Sequence, residues 1–517
     1  MAACLLGTVP SFAAVEYWVS PNGNDDNPGT EAEPFATPEW AVLSLVENEE
    51  AIIHLEKDAE FLVSSLNFGN NKIATIIGDN TTLLGAELPG NEGGEAGRIV
   101  LGRTGCKLKF EGITFENGRV VEYYGGGAIF FDGESLEVEN CRFINNESGS
   151  GGSAILGRTP SVTVRNSYFE GNYAIGGGAT GTAIVQAGAF DEVNGARGEL
   201  IVENCTFAEN YLSVGGQGTA ISTYDNANNG KYSFTQKLVV TNSTFFNNTA
   251  GDTPYQAAID ITGGENCETY IANNTFYGGD GAFRLYFQMA PVYFVNNFAY
   301  VDKATILSEY STVENGGQIQ AYNNILYGGE RAVNENIMEP GLTTEAAACN
   351  NTLGTTSQAS MVALGVNTKL TTDDTESKVP YLAILRENSP LVNAGLDSYA
   401  EIDDAVANFI PATDVRGKAS NGKKDIGAFE YNGQAGVETI TTGENSNITF
   451  IANGSEIVVV NNNGDVMEVA AYSVDGKLLY NARGENVVIS KDNLAKGIVI
   501  VKATDNNGSA TKKMVVM

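Results

Sequence analysis

The sequence predicts an all-β chain: a solenoid of short strands stacked as a parallel β-helix, followed by a small antiparallel β-sandwich. Three observations predict it. One phrase returns along residues 106–353, that phrase alternates apolar and polar positions with a period of two, and the chain changes character after Gly433. The phrase reads Val-Glu-Asn-Cys-Arg-Phe at 138–143, Val-Arg-Asn-Ser-Tyr-Phe at 164–169, Val-Glu-Asn-Cys-Thr-Phe at 202–207 and Val-Thr-Asn-Ser-Thr-Phe at 240–245. Weaker copies follow at Asn273, Asn296, Asn323 and Asn350, and Gly112 leads in. A second phrase is interleaved: Gly-Gly-Ala-Ile at 126–129, Gly-Gly-Ser-Ala-Ile at 151–155, Gly-Thr-Ala-Ile at 181–184 and 218–221, and Ala-Ala-Ile at 257–259. Repeats of this length mark a solenoid.

The alternation identifies which solenoid. Ahead of each Asn stand Leu136 and Val138, Val162 and Val164, Leu200 and Val202, Leu238 and Val240, with polar or small residues between them. Each phrase is therefore a short strand with one buried face. The recurring Asn is expected at a tight corner, where it tolerates left-handed backbone angles and bonds through its side chain to the next coil's backbone. The recurring Phe is expected to stack inside the core.

Taken in order, residues 1–13 form an apolar run ending in small residues, read as the remnant of a secretory signal. Residues 14–105 make the N-terminal cap and first coils. A strand at 16–20 leads into an Asn/Asp/Gly/Pro turn, and Thr37 caps a short helix with Pro38 at its first position. Asp25 and Asp26 are candidate calcium ligands, although the turn alone accounts for them. Calcium is the one cofactor contemplated, and none is required. The only histidine, His54, lies inside a strand, so a His-dependent triad or metal site would rest on that residue alone.

Residues 106–355 are the regular β-helix, 356–431 the last coils and C-terminal cap, 432–443 a linker and 444–517 the sandwich. The 517 residues carry 60 Gly, 13 Pro and a formal net charge of −33, which makes nucleic acid and anionic membranes poor partners. No segment is long and apolar enough for a transmembrane helix. A monomer is expected. Cys141 and Cys205 hold equivalent positions two coils apart, roughly 10 Å at the usual strand spacing, so buried free thiols are expected and not a bridge.

Two successive coils carry an insertion at the same phase. From the Ile of the second phrase to the next ladder Asn the chain runs from Ile155 to Asn166 in one coil, but from Ile184 to Asn204 and from Ile221 to Asn242 in the next two. Both loops leave the same side of the solenoid, where such insertions often build a binding face. They offer Phe190, Asp191 and Arg197, then Tyr224, Asp225, Asn228, Lys231 and Tyr232, a mixture of rings, amides and charges suited to a sugar. A tolerated surface insertion explains them equally well. For catalysis the best available pair is Asp260 and Arg284, two charged residues in apolar strands about one coil apart, which a structural ion pair would also explain.

Several stretches resemble known families. The opening Tyr-Trp-Val-Ser-Pro-Asn-Gly-Asn-Asp-Asp-Asn-Pro-Gly-Thr at 17–30 resembles the start of bacterial secreted β-helix proteins, including some polysaccharide lyases. Phe-x-x-Asn at 143, 169, 207 and 245, with Gly-Gly-Ala-Ile, resembles the repeats of polymorphic outer-membrane proteins, which are adhesins. Ser-Pro-Leu-Val-Asn-Ala-Gly at 389–395, Asp414-Val-Arg-Gly and Asp425-Ile-Gly-Ala-Phe-Glu-Tyr resemble the close of bacterial right-handed, pectate-lyase-like β-helix surface proteins. The run Ala-Tyr-Ser-Val-Asp-Gly-Lys-Leu-Leu-Tyr at 471–480 and the closing Lys-Lys-Met-Val-Val resemble the sorting domains of the Bacteroidetes type IX route. These resemblances imply a secreted protein attached to the outer-membrane surface. The paired insertions, with no catalytic signature beside them, point to adhesin-like binding of a glycan or host surface through one solenoid face, the expected partner being a polysaccharide or host glycan surface. A lyase or glycoside hydrolase acting on an acidic polysaccharide is the alternative.

Overall fold

Strands form where the alternation predicts them, because burying every second side chain of a short run requires a partner coil above and below. The structure is a computed structural model, and it describes residues 14–86, 97–120, 125–175, 181–191, 195–213, 218–223, 235–251, 256–262, 267–286, 292–303, 305–309, 319–329, 350–372, 379–404, 406–420, 422–431, 448–452, 456–473, 477–494, 496–506 and 508–516. The chain divides into two units, Met1–Tyr431 and Asn432–Met517.

In the first unit, stacked coils build three parallel sheets of 20, nine and five strands. One coil shows the pattern: Ser135–Glu139 and Arg142–Ile144 belong to the long sheet, Glu147–Ser148 to the short one and Ile155–Gly157 to the nine-stranded one. Register holds without slip from Leu136 to Val162, Leu200 and Leu238. These side chains point inward and are fully buried or nearly so. Phe115, Phe143, Phe169, Phe207, Phe245 and Phe276 stack face to face with centroids 4.6 to 5.0 Å apart. That distance is the strand spacing, so register and not ring preference sets the geometry.

The ladder asparagines do occupy left-handed corners, with φ between 49° and 56° at Asn140, Asn166, Asn204, Asn242, Asn273, Asn296, Asn323 and Asn350. Their side chains bond mainly to each other, Asn204 Nδ2 donating to Asn166 Oδ1 at 3.1 Å and Asn350 Nδ2 to Asn323 Oδ1 at 2.8 Å. The coil-to-coil backbone bonds expected of them are made instead by inward-facing neighbours. Asn172 Oδ1 accepts from both the backbone N and Nδ2 of Asn146, while its own Nδ2 donates to Phe143 O and to Asn210 Oδ1. Asn210 repeats this with Asn248. A second inner column, Asn274, Asn297, Asn324 and Asn351, does the same where earlier coils carry Cys141, Ser167, Cys205 and Ser243. The inner position satisfies all four amide hydrogen bonds away from water, which the corner position does not require. The four described cysteines are buried thiols outside any disulfide, and burial pushes the Cys141 and Cys205 thiols up to about 12.

The opening forms the first strand, Val15–Val19, paired with Glu50–Leu55, and the helix Pro38–Leu43 capped by Thr37. His54 lies on the outer face, stacked on Trp18 and 2.9 Å from Glu16.

Residues 356–431 depart from the expectation of last coils. Among the described residues no strand follows Thr352–Thr355 in this unit. After the helix Gln358–Leu364, residues 379–431 run back as an irregular strap across the outer face of the long sheet. Thr206 Oγ1 donates to Pro380 O, Asn242 Nδ2 to Thr413 O, Asn296 Nδ2 to Leu396 O, and Gly427 N to Asn296 O. The physical reason is the outward row Phe246, Tyr277, Tyr300 and Tyr327 with Tyr293 and Tyr322, an apolar face that a strap must cover. Two of its ion pairs are internal: Asp414 Oδ2 pairs with the buried Arg416 side chain, and Lys424 Nζ lies 3.4 Å from Glu430.

The second unit packs a three-stranded antiparallel sheet (Ile448–Ala452, Glu456–Asn461, Asn486–Ser490) against a four-stranded one (Leu478–Gly484, Met467–Ser473, Gly497–Asp505, Gly508–Val516). Ile457, Val459 and Ile489 from the first meet Val469, Val499, Val501 and Met514 from the second in one core.

Candidate functional site

Among the described residues the strap leaves the N-terminal coils of the long sheet uncovered, and many of their outward positions are charged. Lys107, Lys109 and Glu111 point out from one strand, Ser135, Glu137 and Glu139 from the next, then Ser161, Thr163 and Arg165, and Glu199, Ile201 and Glu203. Ion pairs fix this surface: Lys109 Nζ to Glu111 at 3.0 Å along one strand, and, across strands, Arg165 Nε to Glu203 at 2.6 Å and Lys237 Nζ to Glu199 at 3.0 Å.

Across the first of these coils lies a cleft of about 400 Å³. Glu50, Lys107, Lys109, Ser135 and Glu137 give it polar walls, and Ile52 and Ile73 an apolar side. The side-chain hydrogen bond that Lys109 donates to Glu111 raises the pKa of Lys109 above its ordinary value, with burial opposing and smaller contributions from Glu139 and Glu137. Lys109 is thereby held as an ammonium already paired with Glu111, and is poorly suited to abstract a proton.

The first inserted loop folds into a hairpin, Ala189–Asp191 antiparallel to Gly195–Arg197, which enters the long sheet at Glu199. Glu199 continues the row of Lys107, Ser135 and Ser161. The base of the hairpin is thus two strands from Ser135 of the cleft, about 10 Å. The backbones of Phe190, Asp191 and Arg197 are in this hairpin, while their side chains lie outside the described residues. Tyr224, Asp225, Asn228, Lys231 and Tyr232 fall wholly outside them. The cleft residues were missed from sequence, although Lys-Leu-Lys-Phe-Glu at 107–111, with charges at each outward position, carried the signal.

Asp260 and Arg284 are brought together as neighbours in register on the outer face of the nine-stranded sheet, Nη1 to Oδ1 at 2.8 Å. Ser222 Oγ donates to Asp260 Oδ2 at 3.4 Å. Their side chains are 0% and 2% exposed, so the geometry supplies a closed ion pair and not a surface a polymer can reach. The glycine phrase explains how this sheet face is closed on neighbouring coils. A Cβ added at Gly125, Gly151 or Gly181 would meet Leu156, Val185 or Ser222 at 2.7, 2.8 and 2.7 Å, so only glycine lets the backbone lie on these outward side chains.

Asp25 has a structural occupation. Its Oδ1 accepts from Ala36 N and Thr37 N, and its Oδ2 from Thr37 Oγ1, all at 2.9 Å. Asp26 donates its backbone N to Asn24 Oδ1. Among the described residues no group of three or more His, Cys, Asp or Glu is placed to hold a metal ion.

Fold and face together define a right-handed parallel β-helix with one open, charged sheet surface. The family model for the right handed beta helix region matches residues 51–299. Among solved structures, the crystal structure of pectate lyase Pel9A is similar at 16% identity and a TM-score of 0.38, covering 82% of this chain and 98% of its own. No curated protein matches the sequence.

Proposed function

We propose that the protein binds a polysaccharide or host glycan on the open half of the long sheet's outer face, as an adhesin-like module that does not process its ligand. The observation that carries this reading is the strap. It covers the C-terminal coils of the face and leaves free the N-terminal coils, where the cleft and the hairpin share one edge. Parallel strands about 4.8 Å apart present their outward groups at a repeat that a linear chain of sugars can follow. We further assign the protein to the outside of the cell, with residues 444–517 as the sorting module that attaches it to the outer-membrane surface.

The test uses the full chain against a panel of acidic and neutral polysaccharides, with and without calcium, following bound fraction, unsaturated product and reducing ends in the same wells. Binding without product is expected. The double substitution Tyr224→Ala and Tyr232→Ala is expected to lower binding at least tenfold, about 1.4 kcal/mol, with the thermal midpoint unchanged. Unaltered binding in that variant removes the loops from the site. New unsaturated ends or reducing ends replace the adhesive reading with a lyase or a hydrolase.

A further inference from the structure

We propose that Lys107 is the subsite for the carboxylate of an acidic sugar residue in the cleft, an assignment that rests on the glycan-binding reading above and names its ligand class. The argument comes from charge balance along two outward rows. In one row Glu50 pairs in register with Ile73, Ile73 with Lys107 and Lys107 with Ser135. In the other Ile52 pairs with Thr75, Thr75 with Lys109 and Lys109 with Glu137. Lys109 is engaged, held 3.0 Å from Glu111 and facing Glu137 across one strand spacing. Lys107 differs: its row neighbours are an isoleucine and a serine, and among the described residues its ammonium makes no ion pair.

The cleft therefore presents one uncompensated cation. Glu50 stands two strands away in the same row, about 10 Å, close enough to accept a ring hydroxyl but too far to neutralise Lys107. Ile52 and Ile73 supply an apolar surface for the C–H face of a sugar ring, and Thr75 and Ser135 supply hydroxyls. The volume of about 400 Å³ suits one or two sugar units. A group with two negative charges would face Glu50 and Glu137 with its second charge uncompensated. One carboxylate per residue matches one ammonium.

The test compares three hexasaccharides on the full chain by calorimetry: a uronate, the same chain with its carboxyls reduced to alcohols, and a sulfated neutral chain. Short ligands avoid the gain from multiple attachment. The unaltered protein is expected to bind the uronate about fivefold more tightly than its reduced form, the upper range for an exposed ion pair. Lys107→Gln is expected to abolish that preference and leave binding of the reduced form unchanged, while Lys107→Arg retains it. An unchanged thermal midpoint in each variant shows that folding is intact. Equal binding of uronate and reduced chains by the unaltered protein overturns the subsite and leaves the glycan reading standing. A preference that survives Lys107→Gln, or tighter binding of the sulfated chain, overturns it as well. No binding of any of the three overturns the glycan reading together with the subsite.

Discussion

The two halves of the long sheet's outer face share a register and differ in every other respect. On the strands Lys107–Glu116, Ser135–Glu139 and Ser161–Arg165 the outward residues are lysine, glutamate, serine, threonine and arginine, open to water. On Glu268–Ala272, Val292–Val295 and Ile319–Tyr322 the same rows hold Tyr270, Tyr293, Val295 and Tyr322, packed beneath Tyr399 and Phe409 of the strap. The inner face does not register the change, since Phe143, Phe169, Phe207, Phe245 and Phe276 continue through it. Stability of the coils is thus set inside, and what each coil offers to a partner is set independently outside.

Substitutions that open the strap should show the largest contrast. Asp414→Ala leaves the Arg416 guanidinium buried without its carboxylate and strips acceptors from the backbone N–H groups of Arg416, Lys418 and Glu430. A loss of about 3–5 kcal/mol is expected in denaturant unfolding. Tyr399→Ala removes a ring that is 1% exposed and touches Tyr293, Tyr322 and Phe409. It is expected to cost a similar amount, about 3–5 kcal/mol, and to raise the binding of a hydrophobic dye. Midpoints that do not move in either variant would mean the strap is a passenger on the face.

A smaller effect concerns pH. Burial pushes the Glu430 carboxyl up to about 7, with Lys424 pulling the other way and Asp425 adding to the rise. Burial likewise raises Asp425. The folded strap therefore favours protonated Glu430, and this contribution to stability is complete below the ordinary carboxyl value of 4.5 and is lost as pH rises through about 7. Melts of the native chain should fall across that window, and Glu430→Gln should flatten the slope. An identical slope in the variant would locate the dependence elsewhere. The smallest effect belongs to the open half, where Glu203→Ala breaks a pair whose side chains are 40% and 36% exposed. Less than about 1 kcal/mol is expected, shrinking further in high salt.

Much of this was legible in the residues because it depends on local pattern. Leu136 with Val138, and their copies, state the strand and its buried face, and Asn166 or Asn204 states a left-handed corner whatever surrounds it. The spacing of Asp260 and Arg284 also implied that they meet. What escaped depends on chain that arrives from far away. A period-two pattern tells which side chains face outward, but not whether water or a strap residue meets them, so Tyr270, Tyr293 and Tyr322 gave no location for Tyr399. The inner asparagines escaped for a different reason: Asn172 and Asn273 look alike in sequence, and only the depth of the coil separates an amide with four partners from one at a corner.

The strap also determines where a pull on the chain is felt. The first unit ends at Tyr431, and the residues just before it are fastened to coils that precede the strand Thr352–Thr355: Asn273 Nδ2 reaches Asp425 O, Gly427 N reaches Asn296 O and Ala428 N reaches Thr275 Oγ1. Tension arriving from beyond Tyr431 loads several of these bonds at once, together with the buried Asp414 and Arg416 pair. It does not peel the last strand, Thr352–Thr355, away one hydrogen bond at a time. A solenoid gripped a few coils short of its end shares a mechanical load among those coils, whereas one gripped at its end would unzip.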